Sequence, residues 1–122
     1  MLPYSSTVAD HFNSPRNAGE MESPDSVGRA TFGGRAPRVV IYLKVHAGTV
    51  RSATFLTFGC GYAIASCSAL TEMVKDVSVA DCQAICADDL IKALDGLPTH
   101  REFCAQVAID ALHDAIAGLP ST

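Results

Sequence analysis

The chain has 122 residues, 48% of them hydrophobic and 18% charged, which is typical of one globular domain and excludes an intrinsically disordered chain. The formal net charge is −4, and no cluster of Lys and Arg stands out, so we expect no nucleic-acid partner. We predict a single domain over residues 1–122.

The first half of the chain predicts a helix, a loop and three strands. Ser5 or Ser6 is a suitable N-cap for the helix, and the loop is rich in Pro, Asn, Gly, Ser and Asp. A Gly48-containing turn joins two apolar, β-branched runs, which is a hairpin signal. The predicted spans are, in order, residues 7–13 (helix), 14–29 (loop), and 29–32, 39–45 and 49–58 (strands).

The second half of the chain is predicted to be helical. Gly59 and Gly61 end the third strand, Ser78 is a cap signal, and the last helix has apolar residues at helical spacing on one face. The four helices are expected over residues 62–75, 78–85, 88–95 and 101–117. Strands followed by helices predict an α+β fold, in which a three-stranded antiparallel sheet carries helices packed on one face.

Two cysteines lie where predicted helices begin. Cys60 is flanked by two glycines at a strand-to-helix junction, and these permit a tight turn and close approach of a bulky ligand. Free N–H groups and the helix dipole favour the thiolate, so the pKa of Cys60 should fall. This favours a metal-binding or sulfur-accepting cysteine, with a buried turn cysteine as the alternative. Cys104 opens the last helix, and a core role is its alternative.

The other three cysteines have weaker claims to a metal site. Cys67 follows Cys60 by seven residues, or ~10 Å along a regular helix, too far for one zinc ion whose ligands lie ~2.3 Å from it. We therefore expect Cys67 to pack against the sheet. Cys82 and Cys86 have i, i+4 spacing, which predicts neighbours on one helical face that could hold half of a metal site. We expect core or partly exposed thiols for this pair, with the half-site as the alternative.

Targeting and membrane-spanning segments are not expected. Met1–Ser6 has no basic residue and no long apolar run, so we predict no signal peptide. No apolar stretch approaches the ~20 residues of a membrane span, so we expect no membrane partner. We predict a cytoplasmic protein, in which five cysteines would be thiols or metal ligands rather than a disulfide framework.

Three segments carry longer motifs. The first, Tyr4–Gly19, contains Asp-His-Phe and Pro-Arg-Asn; the second, Thr57–Lys75, contains Phe-Gly-Cys-Gly; and the third, Leu94–Cys104, contains Leu-Asp-Gly-Leu-Pro before a cysteine. With these motifs the chain resembles the iron–sulfur cluster assembly scaffold family, the IscU-type or NifU N-terminal fold. The resemblance spans nearly the whole chain, and the central motif is long enough to be specific.

The resemblance implies a scaffold rather than an enzyme. Such a scaffold receives sulfide from a cysteine desulfurase, assembles a [2Fe–2S] cluster and passes it to apo-protein clients with chaperone help. Cys60 and Cys104 fall on two of the family's ligand cysteines, so they are expected to bind the cluster or iron, or zinc in the isolated protein. His100 precedes Cys104 in a loop expected near the same end of the fold, and it is a further candidate metal ligand.

The chain departs from the family at several ligand positions. The family's first cysteine falls on Arg35 and its nearby aspartate on Pro37, and residues 30–45 contain no cysteine or acid. The histidine frequent before the last cysteine is Phe103 here. The chaperone-binding loop, usually Leu-Pro-Pro-x-Lys, reads Leu-Pro-Thr-His-Arg over Leu97–Arg101.

The depleted ligand set leaves three functional hypotheses. A [2Fe–2S] cluster takes four protein ligands, which a C2 homodimer could supply from two cysteines per chain. The first hypothesis is therefore a scaffold or carrier that binds a cluster through the remaining cysteines. The alternatives are an adaptor that docks on a cysteine desulfurase without a cluster, and a carrier that accepts a persulfide. We expect no enzyme activity, because no acid–base pair or nucleophile–base pair is evident beyond the thiols.

Overall fold

A computed structural model describes residues 4–120. It therefore leaves out three residues of Met1–Ser6, the stretch on which the prediction about a signal peptide was based. The described residues form an α+β fold, as predicted. In chain order the elements are α1 (Ser6–Asn13), β1 (Ser26–Phe32), β2 (Arg35–His46), β3 (Thr49–Phe58), α2 (Gly61–Val74), α3 (Val79–Gln83), α4 (Ala87–Ala93), the 3-10 turn η1 (Thr99–Arg101) and α5 (Glu102–Ala117).

The three strands form an antiparallel sheet in the order β1-β2-β3. Apolar side chains of β2 and β3 alternate into the core, because successive side chains of a strand point to opposite faces. Helices α2 and α5 cover that face and pack against each other, while α1 and α4 pack against them from outside. The core is made mainly of Val39, Ile41, Leu43, Val50, Phe55, Leu70, Val74, Leu90, Leu94, Val107, Ile109 and Leu112.

The predicted β3 has the predicted bounds, but β1 and β2 are longer than expected. β1 begins at Ser26, three residues early, because Ser26 pairs with Leu43 and its Oγ donates a hydrogen bond to the Ala115 carbonyl at 2.5 Å. β2 begins at Arg35, because a tight turn places Arg35 opposite Phe32. The extension is functionally relevant, since it carries the polar start of β2 to the end of the molecule where β3 meets α2.

Helix α5 lies unusually close to β1. A Cβ built on Gly28 would lie 2.1 Å from the Ala111 carbonyl oxygen and 2.3 Å from the Ala115 nitrogen. Only a residue without a side chain permits this approach of helix backbone to strand. The predicted apolar face of α5 is confirmed, because Val107, Ala111, Leu112 and Ala115 are all buried.

The helices between α2 and α5 differ from the prediction. Ser78 caps α3, accepting a hydrogen bond from the Asp81 N–H, but α3 ends at Gln83 and α4 begins at Ala87. Two short helices are present as predicted, but the bend between them comes about two residues before the expected end near Ile85. No helix among residues 4–120 is long and apolar enough to cross a membrane.

Candidate metal centre

The turn that carries Cys60 lies where β2, β3 and α2 meet. β3 ends at Phe58, and Cys60 is the N-cap of α2 with an extended backbone (φ −88°, ψ 173°). A Cβ on Gly59 would lie 2.9 Å from the Cβ of Pro37, which is closer than side chains approach without displacement. Glycine between strand and helix therefore lets Pro37 pack directly against the cysteine turn.

The second cysteine comes from the first turn of α5. Cys104 is the third residue of that helix, and packing of α5 on α2 brings its Sγ to 3.8 Å from the Cys60 Sγ. Both residues are free thiols. Two sulfurs bound to one tetrahedral metal ion by bonds of ~2.3 Å would also lie ~3.8 Å apart. The spacing of the two thiols therefore suits zinc or iron.

The two thiols differ in exposure and charge. Cys60 is half-buried, whereas Cys104 is fully buried. Burial raises the pKa of Cys60, but the Ala63 and Tyr62 N–H groups, the Cys104 thiol and the Arg101 guanidinium together bring this pKa below its ordinary value. Burial and the neighbouring Cys60 raise the pKa of Cys104 to about 12. As pH rises, the accessible sulfur of Cys60 therefore ionises before the buried sulfur of Cys104.

Arg101 is a site residue that the sequence analysis did not identify. Its Nη1 lies 3.8 Å from the Cys60 Sγ, and its guanidinium stands over the Tyr62 ring, 5.6 Å from the centroid, a cation–π geometry. The sequence analysis had considered Arg101 only as part of the altered chaperone loop. Its position three residues before Cys104 was the available signal, because residues at i and i+3 share a helical face.

Aromatic side chains lie around the two cysteines. Phe58 precedes the Cys60 turn, Phe12 contacts Gly61 beside it, and the Phe103 ring next to Cys104 packs on the Phe32 ring with centroids 4.6 Å apart. We call Phe12, Phe32, Phe58 and Phe103 the aromatic rim. Phe58 is 63% exposed, Phe32 50% and Phe12 45%. Three of the four rim side chains are thus exposed at the end of the molecule that carries the two cysteines.

The residues at the family's missing ligand positions provide no metal ligand. Arg35 is exposed at the start of β2, and Pro37 is buried against Gly59. His100 lies exposed in η1. Within residues 4–120 no group of three or more His, Cys, Asp or Glu side chains is arranged to hold a metal ion. The structure thus brings together Cys60 and Cys104 without a third ligand, and His100 as a ligand stays a prediction.

The remaining cysteines are not part of the 3.8 Å pair, although Cys67 is near enough to Cys104 that, besides burial, the Cys104 charge raises its pKa. Cys67 is fully buried in the continuous helix α2, and burial strongly raises its pKa, which agrees with the expected packing role. The expectation that Cys82 and Cys86 share one helical face is wrong. Cys82 is buried in α3, whereas Cys86 is the exposed N-cap of α4, because the bend between the helices separates them.

The chain is similar in sequence to a known protein family and to several of its members. The sequence profile described as NifU-like N terminal domain matches residues 3–121. Iron-sulfur cluster assembly scaffold protein IscU 1 of Archaeoglobus fulgidus is 40% identical over 113 residues, which cover 93% of this chain and 74% of that protein. Iron-sulfur cluster assembly scaffold protein IscU of Escherichia coli (strain K12) is 39% identical over 124 residues, which cover 98% and 96%.

The fold is also similar to solved structures. A nitrogen-fixing NifU-like protein (N-terminal) from Brucella abortus superposes with a TM-score of 0.80 at 18% identity, covering 96% of this chain and 94% of that one. At this identity the likeness shows the fold alone.

Proposed function

Because the chain belongs to the NifU-like N-terminal domain family, we propose that it is a scaffold for iron–sulfur cluster assembly that binds iron or a [2Fe–2S] cluster through Cys60 and Cys104. The observation that carries this proposal is the 3.8 Å spacing of two free thiols on different helices. That spacing matches two ligands of one tetrahedral ion.

The cluster needs ligands beyond this pair. Four protein ligands hold a [2Fe–2S] cluster, and each chain offers two cysteines at the site. Two chains related by a two-fold axis would supply four thiolates, with the exposed Cys60 side of each site facing the other. We therefore propose that the loaded form is a homodimer and the metal-free form is not.

The partners that we propose are those of an assembly scaffold. A cysteine desulfurase would deliver sulfur at the exposed Cys60, and the aromatic rim gives it an apolar surface on which to dock, since large exposed apolar side chains mark interaction sites. The altered Leu97–Arg101 loop holds Arg101 beside Cys60, so a chaperone that binds this loop would also displace that guanidinium. Five free thiols suit a reducing, cytoplasmic compartment.

The test is anaerobic reconstitution with ferrous iron and sulfide, followed by absorption spectra, iron and sulfide content, and light scattering. We expect a charge-transfer band with stoichiometric iron and sulfide in a dimer. Cys60→Ser and Cys104→Ser should lose all three, and Cys86→Ser, which removes an exposed thiol away from the site, should keep them. His100→Ala reports whether that side chain completes the ligand set.

Two results would argue against the proposal. If the natural protein binds neither iron nor sulfide, the scaffold assignment fails and an adaptor remains. If a loaded protein is a monomer, the dimer is wrong, and the missing ligands come from solvent or another molecule.

A further inference from the structure

The Cys60–Cys104 pair combines an accessible sulfur with a buried one, and this asymmetry has chemical consequences. Cys104 is fully buried, while Cys60 is partly open to solvent. An incoming sulfur donor therefore reaches Cys60 first. The Cys60 Sγ contacts the Cys104 Sγ and the Arg101 Nη1, each at 3.8 Å, so the accessible sulfur has both the buried sulfur and a cation beside it.

We propose that the pair releases sulfide by its own oxidation, with Cys60 accepting a sulfane sulfur and Cys104 resolving the resulting persulfide. In the first step the Cys60 thiolate attacks the outer sulfur of a low-molecular-weight or protein persulfide. A bond forms between Cys60 Sγ and that sulfur, and the donor leaves as a thiolate. The proposal deepens the scaffold function and rests on it, because the released sulfide would be the sulfide of the cluster.

In the second step the Cys104 sulfur attacks the Cys60 Sγ. The Sγ–Sγ bond of a disulfide forms, the bond to the outer sulfur breaks, and that sulfur leaves as hydrosulfide. Two cysteine sulfurs lose two electrons in total, and the sulfane sulfur gains them. The Cys104 thiol proton is released to solvent. No other reductant enters this turnover, and an external dithiol is needed only to reopen the disulfide.

The geometry supports both steps. The two sulfurs are 3.8 Å apart and must close to ~2.05 Å to form the disulfide, a movement within reach of side-chain rotation. Arg101 Nη1 lies 3.8 Å from Cys60 Sγ, where it would hold an anionic persulfide and the departing hydrosulfide. Cys67 is fully buried in α2, and both burial and the neighbouring Cys104 raise its pKa, so an incoming sulfur donor does not reach it. Cys86 lies on α4, and the mapped disulfide distinguishes Cys60 from both of these residues.

The proposal explains how a site without the family's first cysteine and aspartate could contribute to assembly. Arg35 and Pro37 stand at those positions. Pro37 packs on Gly59 beside Cys60, and the cation next to the Cys60 sulfur is Arg101. A cation beside the thiols favours anionic sulfur over a free metal cation. Sulfide release before iron binding is the order that this electrostatic environment favours.

The experiment uses the full chain, reduced, treated with a chelator and desalted anaerobically, with glutathione persulfide as the sulfur donor. Sulfide is measured by derivatisation, and the protein is examined by intact mass and peptide mapping. We expect about one sulfide per chain above a protein-free blank. We also expect the loss of two hydrogen atoms from the protein and a mapped Cys60–Cys104 disulfide.

Variants separate the two steps. Cys104→Ser should retain one extra sulfur atom on Cys60 and release sulfide only at the blank level. Cys60→Ser should gain no sulfur on Cys104 by peptide mapping and should also fall to the blank, while Cys86→Ser should match the natural protein. Cys104→Ala provides a second, apolar replacement at the buried position, and circular dichroism reports whether each variant is folded.

Three results would overturn the proposal. They are a natural protein that carries a persulfide without forming the disulfide, a Cys60→Ser variant that gains sulfur on Cys104, and a Cys104 variant that releases sulfide as the natural protein does. Peptide mapping of the Cys60–Cys104 disulfide in the natural protein needs no variant, so the proposal can be tested even if a variant misfolds. Reconstitution with supplied iron and sulfide is scored separately, so failure of the inference is distinguishable from failure of the scaffold assignment.

Discussion

Two pairs of cysteines in this molecule show opposite relations between sequence and space. Cys60 and Cys104 are 44 positions apart and have their sulfurs 3.8 Å from each other. Cys82 and Cys86 are four positions apart, yet one is buried in α3 and the other is exposed at the start of α4. The distant pair is brought together by the packing of α2 on α5, and the near pair is separated by a local bend.

The hydrogen-bond partners of the near pair explain why it does not behave as a site. The Cys82 thiol points back to the Val77 carbonyl at 4.0 Å, whereas the Cys86 thiol points to the Asp89 carboxylate at 3.3 Å. The Cys82 sulfur is thus directed to the residue before the α3 cap, and the Cys86 sulfur to the first turn of α4. Helical spacing makes two residues neighbours only when one helix continues through both.

Zinc affinity should separate the two pairs most strongly. Structural zinc sites with four ligands have apparent binding energies of ~10–16 kcal/mol, or ~3 kcal/mol per ligand, so Cys60→Ser should weaken zinc binding on the order of 100-fold. Cys86→Ser should leave the affinity unchanged. Competition with a chromophoric chelator measures both. An equal loss in the two variants would contradict the assignment of the site to Cys60.

A substitution next to Cys60 should disturb the Cys60–Cys104 pair without replacing either cysteine, with a smaller expected effect on zinc affinity. The new Cβ of Gly59→Ala would meet Pro37 at 2.9 Å, and forcing extra volume into such a contact typically costs ~1–3 kcal/mol of the free energy of unfolding. Zinc affinity should fall with it, since the Cys60 turn must move. Urea unfolding measures the stability, and Ser52→Ala on the exposed face of β3 is the control. Unchanged stability would mean that Pro37 yields freely.

Substitutions of Cys82 and Cys86 should have different effects on the free energy of unfolding. Cys82 is fully buried, so Cys82→Ala should cost ~1 kcal/mol of the free energy of unfolding through lost packing. Cys86→Ala should change that free energy by less than ~0.5 kcal/mol, as exposed substitutions usually do. Thermal and urea unfolding of both variants provide the measurement. Equal costs would show that Cys86 is packed in solution.

The subtlest test concerns charge at the distant pair. Because the pKa of Cys60 lies below its ordinary value, the thiolate forms at lower pH, and iodoacetamide should alkylate Cys60 at lower pH than a cysteine in the unfolded chain. Arg101→Leu removes a nearby cation and should move this profile to higher pH. Arg51→Leu, which disrupts only an exposed pair with Asp76, should not. Identical profiles for all three proteins would exclude an effect of Arg101.

Much of the fold was predictable because local signals agreed with the tertiary structure. β3 has its predicted bounds, and α2 and α5 end within one residue of the predicted ends. The early start of β2 was not predictable from propensity, since Arg35 enters the sheet by pairing with Phe32. The break between α3 and α4 was predicted about two residues too late, because no Gly or Pro marks the end of α3 at Gln83.

The candidate site was only partly predictable. Cys60 and Cys104 were identified from their motifs, and the structure brings them together. Arg101 was missed because its contact with Cys60, a residue 41 positions away in the sequence, forms only in the folded structure. Pro37 was recognised as a lost ligand, but its packing on Gly59 depends on tertiary contact and has no signal in the sequence.

The close contact between β1 and α5 means that substitutions far from the cysteines can disturb the Cys60–Cys104 pair. Gly28 lies against the backbone of Ala111, which is seven residues, or ~10 Å along the helix, from Cys104. In a saturation library at Gly28 selected for folded protein, glycine alone should persist. Any larger residue that a rescuing mutation made tolerable would lift α5 from the sheet and carry the Cys104 sulfur away from Cys60. Helix α5 thus transmits a change at Gly28 to Cys104, so a residue that contacts neither thiol influences the distance between the two sulfurs.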